Sequence, residues 1–512
     1  MLIKTFAAAV HGIDATIVTI EVNVSQGIRF FLVGLPDNAV KESQRRIESA
    51  MKASGYDFPG KRIVVNMAPA DIRKEGSSYD LPLAIGVLAS SEQVKSDKLG
   101  KYILIGELSL DGTIQPVKGV LPIAIKASEE NFKGFILPKA NAKEAAVVSK
   151  LEILGVENIQ EVVDFFQQDK LIERTIVDTK EEFEKQANLY DIDFADVRGQ
   201  ENVKRALEIA AAGGHNLIMI GPPGAGKTML AKRLPTIIPP LALSEALETT
   251  KIHSVAGKIG KDTSLMTIRP FRSPHHTISD VALVGGGTVP QPGEISLAHN
   301  GVLFLDELPE FKRTVLEVLR QPLEDRMISV SRAKFSVVYP ASFMLVASMN
   351  PCPCGYYNHP EKECACTSGL VQKYLNRISG PLLDRIDIHI EVVPVPFEKL
   401  SEKGTGESSA VIRERVTAAR NIQEERFSEF TDVHCNAQMS SSTIRKYCYI
   451  NPAGQQLLKN AMEKLGLSAR AYDRILKVSR TIADLDNASD IRNEHLAEAI
   501  QYRSLDREHW AG

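Results

Sequence analysis

The segment from Gly221 to Thr228, GPPGAGKT, places glycines, a lysine and a hydroxyl residue at the spacing G-x-x-x-x-G-K-[ST]. Glycines let backbone amides turn toward one point, where the N-terminus of a following helix also favours an anion. The apolar run 217–220 before it is typical of a strand, and residues 229–234 follow a helical pattern. The pattern predicts a loop that binds a nucleoside triphosphate, with Lys227 on the β- and γ-phosphates and Thr228 on Mg²⁺. The predicted contacts are Gly221, Pro222, Pro223, Gly224, Ala225, Gly226, Lys227, Thr228 and Met229.

A second apolar run, 302–305, ends in the two carboxylates Asp306 and Glu307. Such a run indicates a buried parallel strand, and ligands bind at the carboxyl edge of a parallel sheet. We expect Asp306 to hold Mg²⁺ through water and Glu307 to polarise the attacking water. An acidic strand end is weak support alone, but it becomes strong behind a complete phosphate loop. A third apolar strand ends at Asn350, which is placed to orient that water.

Two C-x-C pairs follow this third strand, separated by a polar segment. Four thiolates can close a tetrahedral zinc site, although C-x₂-C is the commoner spacing. The alternative is four reduced cysteines in a surface loop, and the polar intervening YYNHPEKE argues against a buried apolar role. We favour Zn²⁺, with the predicted ligands Cys352, Cys354, Cys364 and Cys366. Cys435 and Cys448 have no evident partner motif.

The chain of 512 residues is long enough for about three domains. Residues 1–170 alternate strand and helix patterns, and the charged segment 171–193 is expected to be a linker. The phosphate loop and its neighbours occupy 194–398. Residues 399–512 begin with the Gly- and Ser-rich stretch LSEKGTGESS, expected to be mobile, and continue with helical patterns.

The composition is that of a globular protein, with 44% apolar and 24% charged residues and a net charge of −3. A nucleic-acid partner therefore requires a local basic surface, such as the inside of a ring. The N-terminus has no pattern typical of a cleaved signal, and no apolar run is long enough to span a bilayer. We expect a cytoplasmic protein without membrane contact, whose cysteines stay reduced.

The order of these parts resembles the AAA+ ATPases, and among them the magnesium-chelatase-like branch and its ComM/YifB family. The resemblance covers nearly the whole chain and implies an α/β fold. That fold has an N-terminal ribosomal-S5/Lon-like α/β domain, a central AAA+ P-loop parallel αβα domain and a C-terminal helical lid. The stretches that carry it are FADVRGQENVKRALEIAAAGGHNLIMIGPPGAGKT, RPFRSPHHTISDVALVGGG, LFLDELPEF, SMNPCPCGY, LLDRIDIHI and LSARAYDRILKVSRTIADL.

The resemblance implies ATP and Mg²⁺ as ligands and gives roles to single residues. Lys227 and Thr228 match Walker A, Asp306 and Glu307 match Walker B, Asn350 matches sensor 1, Arg470 matches sensor 2, and Gln200 falls near the adenine. Arg385 matches the arginine finger, which supplies a guanidinium to the neighbouring subunit's γ-phosphate. The alternative for Arg385 is a surface ion pair with Asp384 or Asp387, and Arg377 is the rival finger.

The resemblance also implies a homo-oligomer, a hexameric ring whose loops reach a central pore. An insertion from about 244 to 300 carries one set of cationic residues, Arg269 and Arg272, and the segment after Asp306 carries another, Arg320, Arg326, Arg332 and Lys334. Such residues would contact DNA phosphates independently of sequence. The alternative for each is a solvated face or an intersubunit ion pair. His275 and His276 make a poor metal site by themselves.

Residues 1–170 resemble the C-terminal domain of Lon proteases. Ser78 falls where Lon has its nucleophile, but the position of its partner lysine is occupied by Leu121, and Lys118 and Lys126 are out of register. A serine without a base is not activated, so we expect a non-proteolytic domain that helps to form the ring or guide nucleic acid.

The function that the resemblance implies is an ATP-driven DNA motor, with helicase or branch-migration activity in recombination of transforming DNA. A metal-insertion or remodelling ATPase like the magnesium chelatase subunit is the alternative, although that subunit lacks the fused Lon-like domain. A peptidase or unfoldase is a third possibility, weakened by Leu121.

Overall fold

The computed structural model describes residues 2–168, 170–179, 181, 183, 190–260, 263–287, 290–332, 335–357, 359, 361–396, 406–430 and 433–503. The chain forms two compact units. The N-terminal unit comprises Met1–Ala187, Ala242–Thr267 and Pro290–Pro292, and the second unit comprises Asn188–Leu241, Ile268–Val289 and Gly293–Gly512. Most of the predicted mobile stretch 400–409 lies outside the described residues.

The elements are numbered in chain order. The helices are α1 Asn38–Ala53, α2 Asp80–Ser90, α3 Val120–Glu129, α4 Ala142–Ala145, α5 Ile159–Gln168, α6 Glu201–Gly213, α7 Lys227–Arg233, α8 Leu243–Val255, α9 Asp280–Val284, α10 Glu294–Leu297, α11 Arg313–Glu317, α12 Arg320–Asp325, α13 Ser368–Leu375, α14 Gly380–Leu383, α15 Ser409–Arg426, α16 Ser441–Tyr447, α17 Pro452–Leu465, α18 Ala469–Leu485 and α19 Asn493–Gln501. The strands are β1 Leu2–His11, β2 Asp14–Ser25, β3 Phe30–Val33, β4 Arg62–Ala68, β5 Tyr102–Leu104, β6 Glu107–Leu108, β7 Ile114–Gln115, β8 Gly134–Pro138, β9 Glu152–Val156, β10 Leu217–Ile220, β11 Phe271–Arg272, β12 Gly285–Gly286, β13 Gln291–Pro292, β14 Val302–Leu305, β15 Met327–Arg332, β16 Phe335–Pro340, β17 Met344–Met349 and β18 Ile388–Glu391.

The N-terminal unit is built on a mixed seven-stranded sheet with the order β3-β4-β2-β1-β5-β8-β9. Strands β1, β2 and β4 pair antiparallel, whereas β1, β5, β8 and β9 run parallel. Helix α2 is buried along its whole length, because its sequence DLPLAIGVLAS is apolar on every side. The sheet and its helices form the α/β domain that the sequence predicts.

Helix α8, which lies in the predicted pore-facing insertion, belongs to the N-terminal unit. Its Ser254 hydroxyl donates a hydrogen bond to the buried carboxyl of Glu144. The same carboxyl accepts the backbone N–H of Leu121 at 3.1 Å. Because its desolvation outweighs these hydrogen bonds, the pKa of Glu144 is raised. The insertion therefore divides: residues 242–267 complete this unit, and residues 268–289 stay with the second.

The second unit contains a parallel five-stranded sheet with the order β11-β14-β17-β10-β18. Strands β10, β14 and β17 are buried at every residue, as their uninterrupted apolar runs predict for a sheet covered on both faces. All five strands point the same way, so their carboxyl ends meet at one edge. That edge receives the phosphate loop after β10, the carboxylates after β14 and Asn350 after β17.

Helices α15, α16 and α19 pack against α18, helix α17 packs against α19, and α18 also packs on α6. Asp387, at the start of β18, joins α18 to the sheet by an ion pair with Arg474 at 2.8 Å and a hydrogen bond from the backbone N–H of Asn216 at 3.0 Å. Burial by itself would raise the pKa of Asp387, but Arg474 and His215 outweigh it and hold the pKa well below its usual range. The helical region predicted beyond residue 399 is thereby joined to the sheet of the same unit.

None of the helices in the described ranges is both long and apolar enough to cross a membrane. The limits of the four predicted segments, 1–170, 171–193, 194–398 and 399–512, stay a prediction.

Candidate functional site

The loop between β10 and α7 has the backbone that its glycines permit. Gly224 and Gly226 have φ angles of 80° and 87°, which residues with a Cβ rarely adopt. This curl ends at Gly226, the cap of α7, and Lys227 is the first helical residue. The loop therefore presents backbone amides and a helix N-terminus, a combination that favours phosphate.

The Lys227 amine is largely buried at the centre of the loop. Its Nζ donates to the carbonyl oxygens of Gly221 at 2.6 Å and Pro222 at 2.9 Å, and to Oδ1 of Asn350 at 3.1 Å. Burial lowers the pKa of Lys227, against the attraction of Asp306 and Glu307. The structure thus brings the predicted Walker A lysine and the predicted sensor residue into direct contact.

Asp306 lies between two hydroxyl groups. The Thr228 hydroxyl donates to its Oδ2 at 2.8 Å, and the hydroxyl of Ser348 donates to its Oδ1. A hydroxyl and a carboxylate on adjacent elements are oxygen ligands of the kind that Mg²⁺ takes beside a triphosphate. Thr228 and Asp306 therefore fit the ion. Sequence reasoning missed Ser348, and the available signal was one hydroxyl inside the buried run MLVASM of β17.

Glu307 follows Asp306 in a left-handed conformation with a φ of 54°. Its Oε2 lies 3.6 Å from Nδ1 of His276. The ring of His276 also meets Phe311 edge-on, with centroids 6.4 Å apart. His275 contacts Thr277 through Nδ1 at 2.9 Å. Sequence reasoning weighed His276 only as a metal ligand, and its contact with Glu307 depends on a loop path that the sequence does not reveal.

Arg385, the predicted finger, is 9% exposed. Its guanidinium lies 2.6 Å from Oε1 of Glu324 and donates to the carbonyl of Pro381 at 2.5 Å. The partner is thus Glu324, and neither neighbouring aspartate. The rival finger Arg377 is about half exposed and pairs with Glu310 at 2.9 Å.

Arg470 lies 3.7 Å from Oδ2 of Asp384, which precedes β18. Since β18 runs parallel to β10, residues before β18 lie at the amino edge of the sheet, and the phosphate loop lies at the carboxyl edge. Arg385 also precedes β18. The two predicted arginines are therefore at the edge opposite their own phosphate loop.

Gln200 lies at the carboxyl edge of the sheet. Its Nε2 donates to the carbonyl of Val393 at 2.6 Å, just beyond β18, where the Val392 N–H meets the Ile220 carbonyl at 2.7 Å. This places Gln200 beside the strand that leads into the phosphate loop, and its position near the adenine stays a prediction.

The four cysteines of the two C-x-C pairs come together, with their Sγ atoms all within 4.8 Å of one another. The separations from Cys352 to Cys354 and Cys364 are 3.3 and 3.7 Å, and Cys354 and Cys364 are 3.6 Å apart. Sulfurs around a tetrahedral Zn²⁺ with bonds of about 2.3 Å are about 3.8 Å apart. The backbone N–H of Tyr356 helps to lower the pKa of Cys354 to about 6, whereas burial and the neighbouring thiols raise the pKa of Cys364 and of Cys366, so the fit to zinc depends on the sulfur geometry. The donor set fits zinc.

Two of the predicted DNA contacts are engaged within the second unit. The guanidinium of Arg269 donates to the carbonyls of Pro239 at 2.6 Å, Asn300 at 2.7 Å and Pro240 at 3.2 Å. Arg272 forms a bidentate pair with Glu294 at 2.6 and 2.7 Å.

The other predicted contacts belong to the antiparallel hairpin β15–β16. Arg326 directly precedes β15, and Arg332 is the last residue of that strand. Lys334 lies outside the described residues. On the stem, Ile328 and Val330 are buried and Met327 and Val338 are exposed.

In the N-terminal unit, Leu121 is fully buried in α3. Ser78 precedes α2, where its carbonyl accepts the Gly106 N–H at 2.8 Å. An alkyl side chain cannot accept a proton, so Leu121 cannot supply the base that the Lon dyad requires.

Family models match three stretches of the chain. "Magnesium chelatase, subunit ChlI" matches residues 193–400, "Subunit ChlI of Mg-chelatase" matches 20–141, and "Magnesium chelatase, subunit ChlI C-terminal" matches 406–503. The parallel sheet with its phosphate loop, together with these matches, defines a magnesium-chelatase-like protein of the AAA+ class.

Full-length relatives narrow this class. The chain is 46% identical to competence protein ComM of Haemophilus influenzae over 98% of this chain and 97% of that one. It is 45% identical to protein YifB of Salmonella typhimurium over 98% and 96%. The chain belongs to the ComM/YifB family. A local match to Lon protease 2 of Bacillus subtilis, 32% identical, covers 28% of this chain and 27% of that protein.

Proposed function

We propose that this protein is an ATPase that assembles into a homohexameric ring and uses ATP hydrolysis to move along DNA. The activity would be helicase or branch-migration work in the recombination of transforming DNA. The observation that supports the proposal is that the residues predicted to be catalytic lie at two opposite edges of one sheet. Lys227, Thr228 and Asp306 lie at one edge, and Arg385 and Arg470 lie at the other.

The carboxyl edge supports ATP hydrolysis. The Lys227 amine is in reach of the β- and γ-phosphates once it exchanges the Gly221 and Pro222 carbonyls for them. Thr228 and Asp306 would hold Mg²⁺, which neutralises charge on the phosphates. Glu307 would take the proton of the attacking water, and Asn350 would orient that water.

The amino edge supports hydrolysis at a boundary between subunits. Arg385 and Arg470 cannot serve the phosphate loop of their own protomer from the opposite edge of the sheet. If a neighbouring copy places its carboxyl edge against this amino edge, Arg385 and Arg470 would reach the phosphate loop of the neighbour. In a ring, every protomer offers its amino edge to one neighbour and its carboxyl edge to the other. Arg385 would exchange Glu324 for the γ-phosphate of the neighbour, so that hydrolysis responds to subunit contact.

The β15–β16 hairpin supports DNA as the partner. Strand β15 ends at Arg332 and β16 begins at Phe335, and the exposed positions of the described stem carry no charge. In sequence, Arg332 and Lys334 fall where the two strands connect, and cationic residues there would contact phosphates without reading bases. The family relationship to a protein named for competence points to DNA as well. We expect the protein to work in the cytoplasm.

ATP hydrolysis by the purified protein tests the proposal. The rate is measured alone and with duplex DNA, single-stranded DNA, magnesium with a porphyrin, or an unfolded polypeptide, with Lys227→Ala as the blank. We expect stimulation by DNA alone, declining as salt rises because phosphate contacts release counterions.

The family models also leave a metal-insertion or remodelling ATPase as an alternative. Stimulation by the porphyrin and none by DNA would select that alternative and refute the DNA motor. Stimulation by the polypeptide alone would select an unfoldase.

A further inference from the structure

The cysteine cluster lies directly against the phosphate loop. Gly355, which follows Cys354, has a φ of 85°, and a Cβ placed on it would be 2.5 Å from Cδ of Pro223. The Gly355 N–H is bonded to the Cys352 carbonyl at 3.0 Å, so this close approach belongs to the turn that presents the thiols. The same turn therefore sets the thiol positions and one wall of the loop between β10 and α7.

The cluster also follows the predicted sensor residue without a gap. Only Pro351 separates Asn350 from Cys352, and Cys352 is completely buried. Asn350 accepts a hydrogen bond from the Lys227 amine at 3.1 Å. A shift of Cys352 would therefore move Asn350 and, through the hydrogen bond between them, affect Lys227.

A segment with four thiols held together needs a constraint to keep this shape. The described part of the segment between the two pairs is largely polar, and Gly355 is its one buried residue among those described, which leaves little apolar burial to fix it. The rings of Tyr356 and His359 meet edge-on at 5.6 Å, and Lys362 lies over the Tyr356 ring at 4.9 Å. Such surface contacts are individually weak, whereas a structural zinc site supplies folding free energy outright.

We infer that Cys352, Cys354, Cys364 and Cys366 bind one Zn²⁺ and that this ion holds Gly355 against Pro223, so that zinc occupancy controls ATP binding. The inference uses the nucleotide site of the proposed function but is independent of DNA. In it, the zinc site is a positioning device: no cysteine touches the nucleotide. Displacement of a positioning group by about 1 Å can lower a reaction rate about 10²-fold, so we expect loss of this support to weaken the affinity for ATP about tenfold.

The test compares zinc content with the affinity for a fluorescent ATP analogue, measured without DNA on the full-length protein. We expect one zinc per protomer in the purified wild type. Dialysis against a chelator followed by return of Mg²⁺ alone should weaken affinity about tenfold. Equimolar Zn²⁺ should restore it.

Two kinds of substitution distinguish the role of the zinc ion from the role of the contact between Gly355 and Pro223. Cys354→Ser, or Cys364→Ser, should lose both zinc and affinity. Gly355→Ala retains all four thiols, and once loaded with Zn²⁺ it should still lose affinity, because the added Cβ at a φ of 85° strains the turn and meets Pro223. The matched control is Cys448→Ala, which removes a buried cysteine outside the cluster and should change neither quantity. Thermal unfolding identifies any variant that fails to fold. In that case, removal and return of Zn²⁺ in the wild type tests whether the ion controls ATP affinity.

Three results would overturn the inference: a wild type that neither contains nor takes up zinc, equal affinity with and without the ion, or wild-type affinity in zinc-loaded Gly355→Ala. A disulfide between any two of the four cysteines in the active protein would be a fourth such result. If zinc controls nucleotide affinity but DNA has no effect on hydrolysis, the inference stands and the proposed DNA motor falls.

Discussion

Glu307 shows at the residue scale how a backbone outlier and a side-chain contact coincide. A non-glycine residue at a positive φ is held there by its surroundings, and such residues gather at functional sites. The Glu307 carboxylate lies 3.6 Å from Nδ1 of His276, which is an ion-pair distance rather than a hydrogen bond. We expect His276 to position Glu307 through this contact.

Replacement of His276 by Ala should lower the rate of ATP hydrolysis about tenfold and leave ATP affinity unchanged, because the base loses its orientation but remains present. Glu307→Gln should have a larger effect, about 10²- to 10³-fold, because the base itself is lost. Single-turnover hydrolysis and analogue binding measure the two quantities. His434→Ala is the matched control, since His434 is an exposed histidine of the same unit, whereas the ring of His275 packs on that of His276 with centroids 4.1 Å apart. Equal effects at both histidines would remove the positioning role.

Arg385 is the residue whose predicted role depends most on a second subunit. Replacement by Ala should slow hydrolysis by about 10³-fold while ATP still binds, as expected for a guanidinium supplied in trans. The Lys227→Ala variant should also be inactive, but because its own phosphate loop has lost its lysine. Mixing the two inactive variants should recover activity, since a Lys227→Ala subunit still offers its Arg385 to a neighbour.

The outcome of that mixing experiment distinguishes three arrangements. Recovery with Arg385→Ala but not with Arg377→Ala supports Arg385 as the finger. Recovery with Arg377→Ala and none with Arg385→Ala transfers the role to Arg377, which is the more exposed of the two. An Arg385→Ala variant with normal hydrolysis would reduce Arg385 to a structural partner of Glu324.

At the element scale, the parallel sheet explains which site residues the sequence could predict. Residues that directly follow buried apolar strands must meet at one edge, so Asp306 and Asn350 could be placed beside the phosphate loop in advance. The cysteine cluster was predictable for a similar reason, since its members are close in sequence.

The contacts that could not be predicted join elements through loops. Sequence patterns do not fix where the loop after β11 brings His276, or that Glu324 on α12 faces Arg385. Charge alone also did not distinguish Arg269, whose guanidinium binds three backbone carbonyls, from an arginine available to a ligand. Helix α8 likewise belongs to the N-terminal unit through its packing on α3 and its hydrogen bond to the buried Glu144 carboxyl, neither of which has a sequence signature.

The hairpin β15–β16 carries the prediction for DNA contact at this scale. Arg332→Ala with Lys334→Ala should weaken binding to all sequences alike and reduce the salt slope by about one per charge removed. Hydrolysis without DNA should be unchanged. Lys459→Ala is the control, because Lys459 is an exposed lysine on α17. Unchanged DNA affinity in the double variant would show that Arg332 and Lys334 do not contact DNA.

At the scale of the whole molecule, the residues predicted to be catalytic are divided between two edges of one sheet. Under the proposed function, such a protomer would be incomplete alone and would become complete when copies close into a ring, because each edge then meets its complement. We expect the assembled form to hydrolyse ATP and an isolated protomer to be inactive, which dilution of the protein below its assembly concentration would show.

The most direct measurement follows a labelled strand in a branched DNA substrate while ATP is hydrolysed. We predict that the wild type displaces the strand with ATP and leaves it in place with a non-hydrolysable analogue. The Glu307→Gln variant should bind the substrate without displacing the strand. A wild type that hydrolyses ATP at the same rate with and without the branched DNA, and leaves every strand paired, would contradict this prediction.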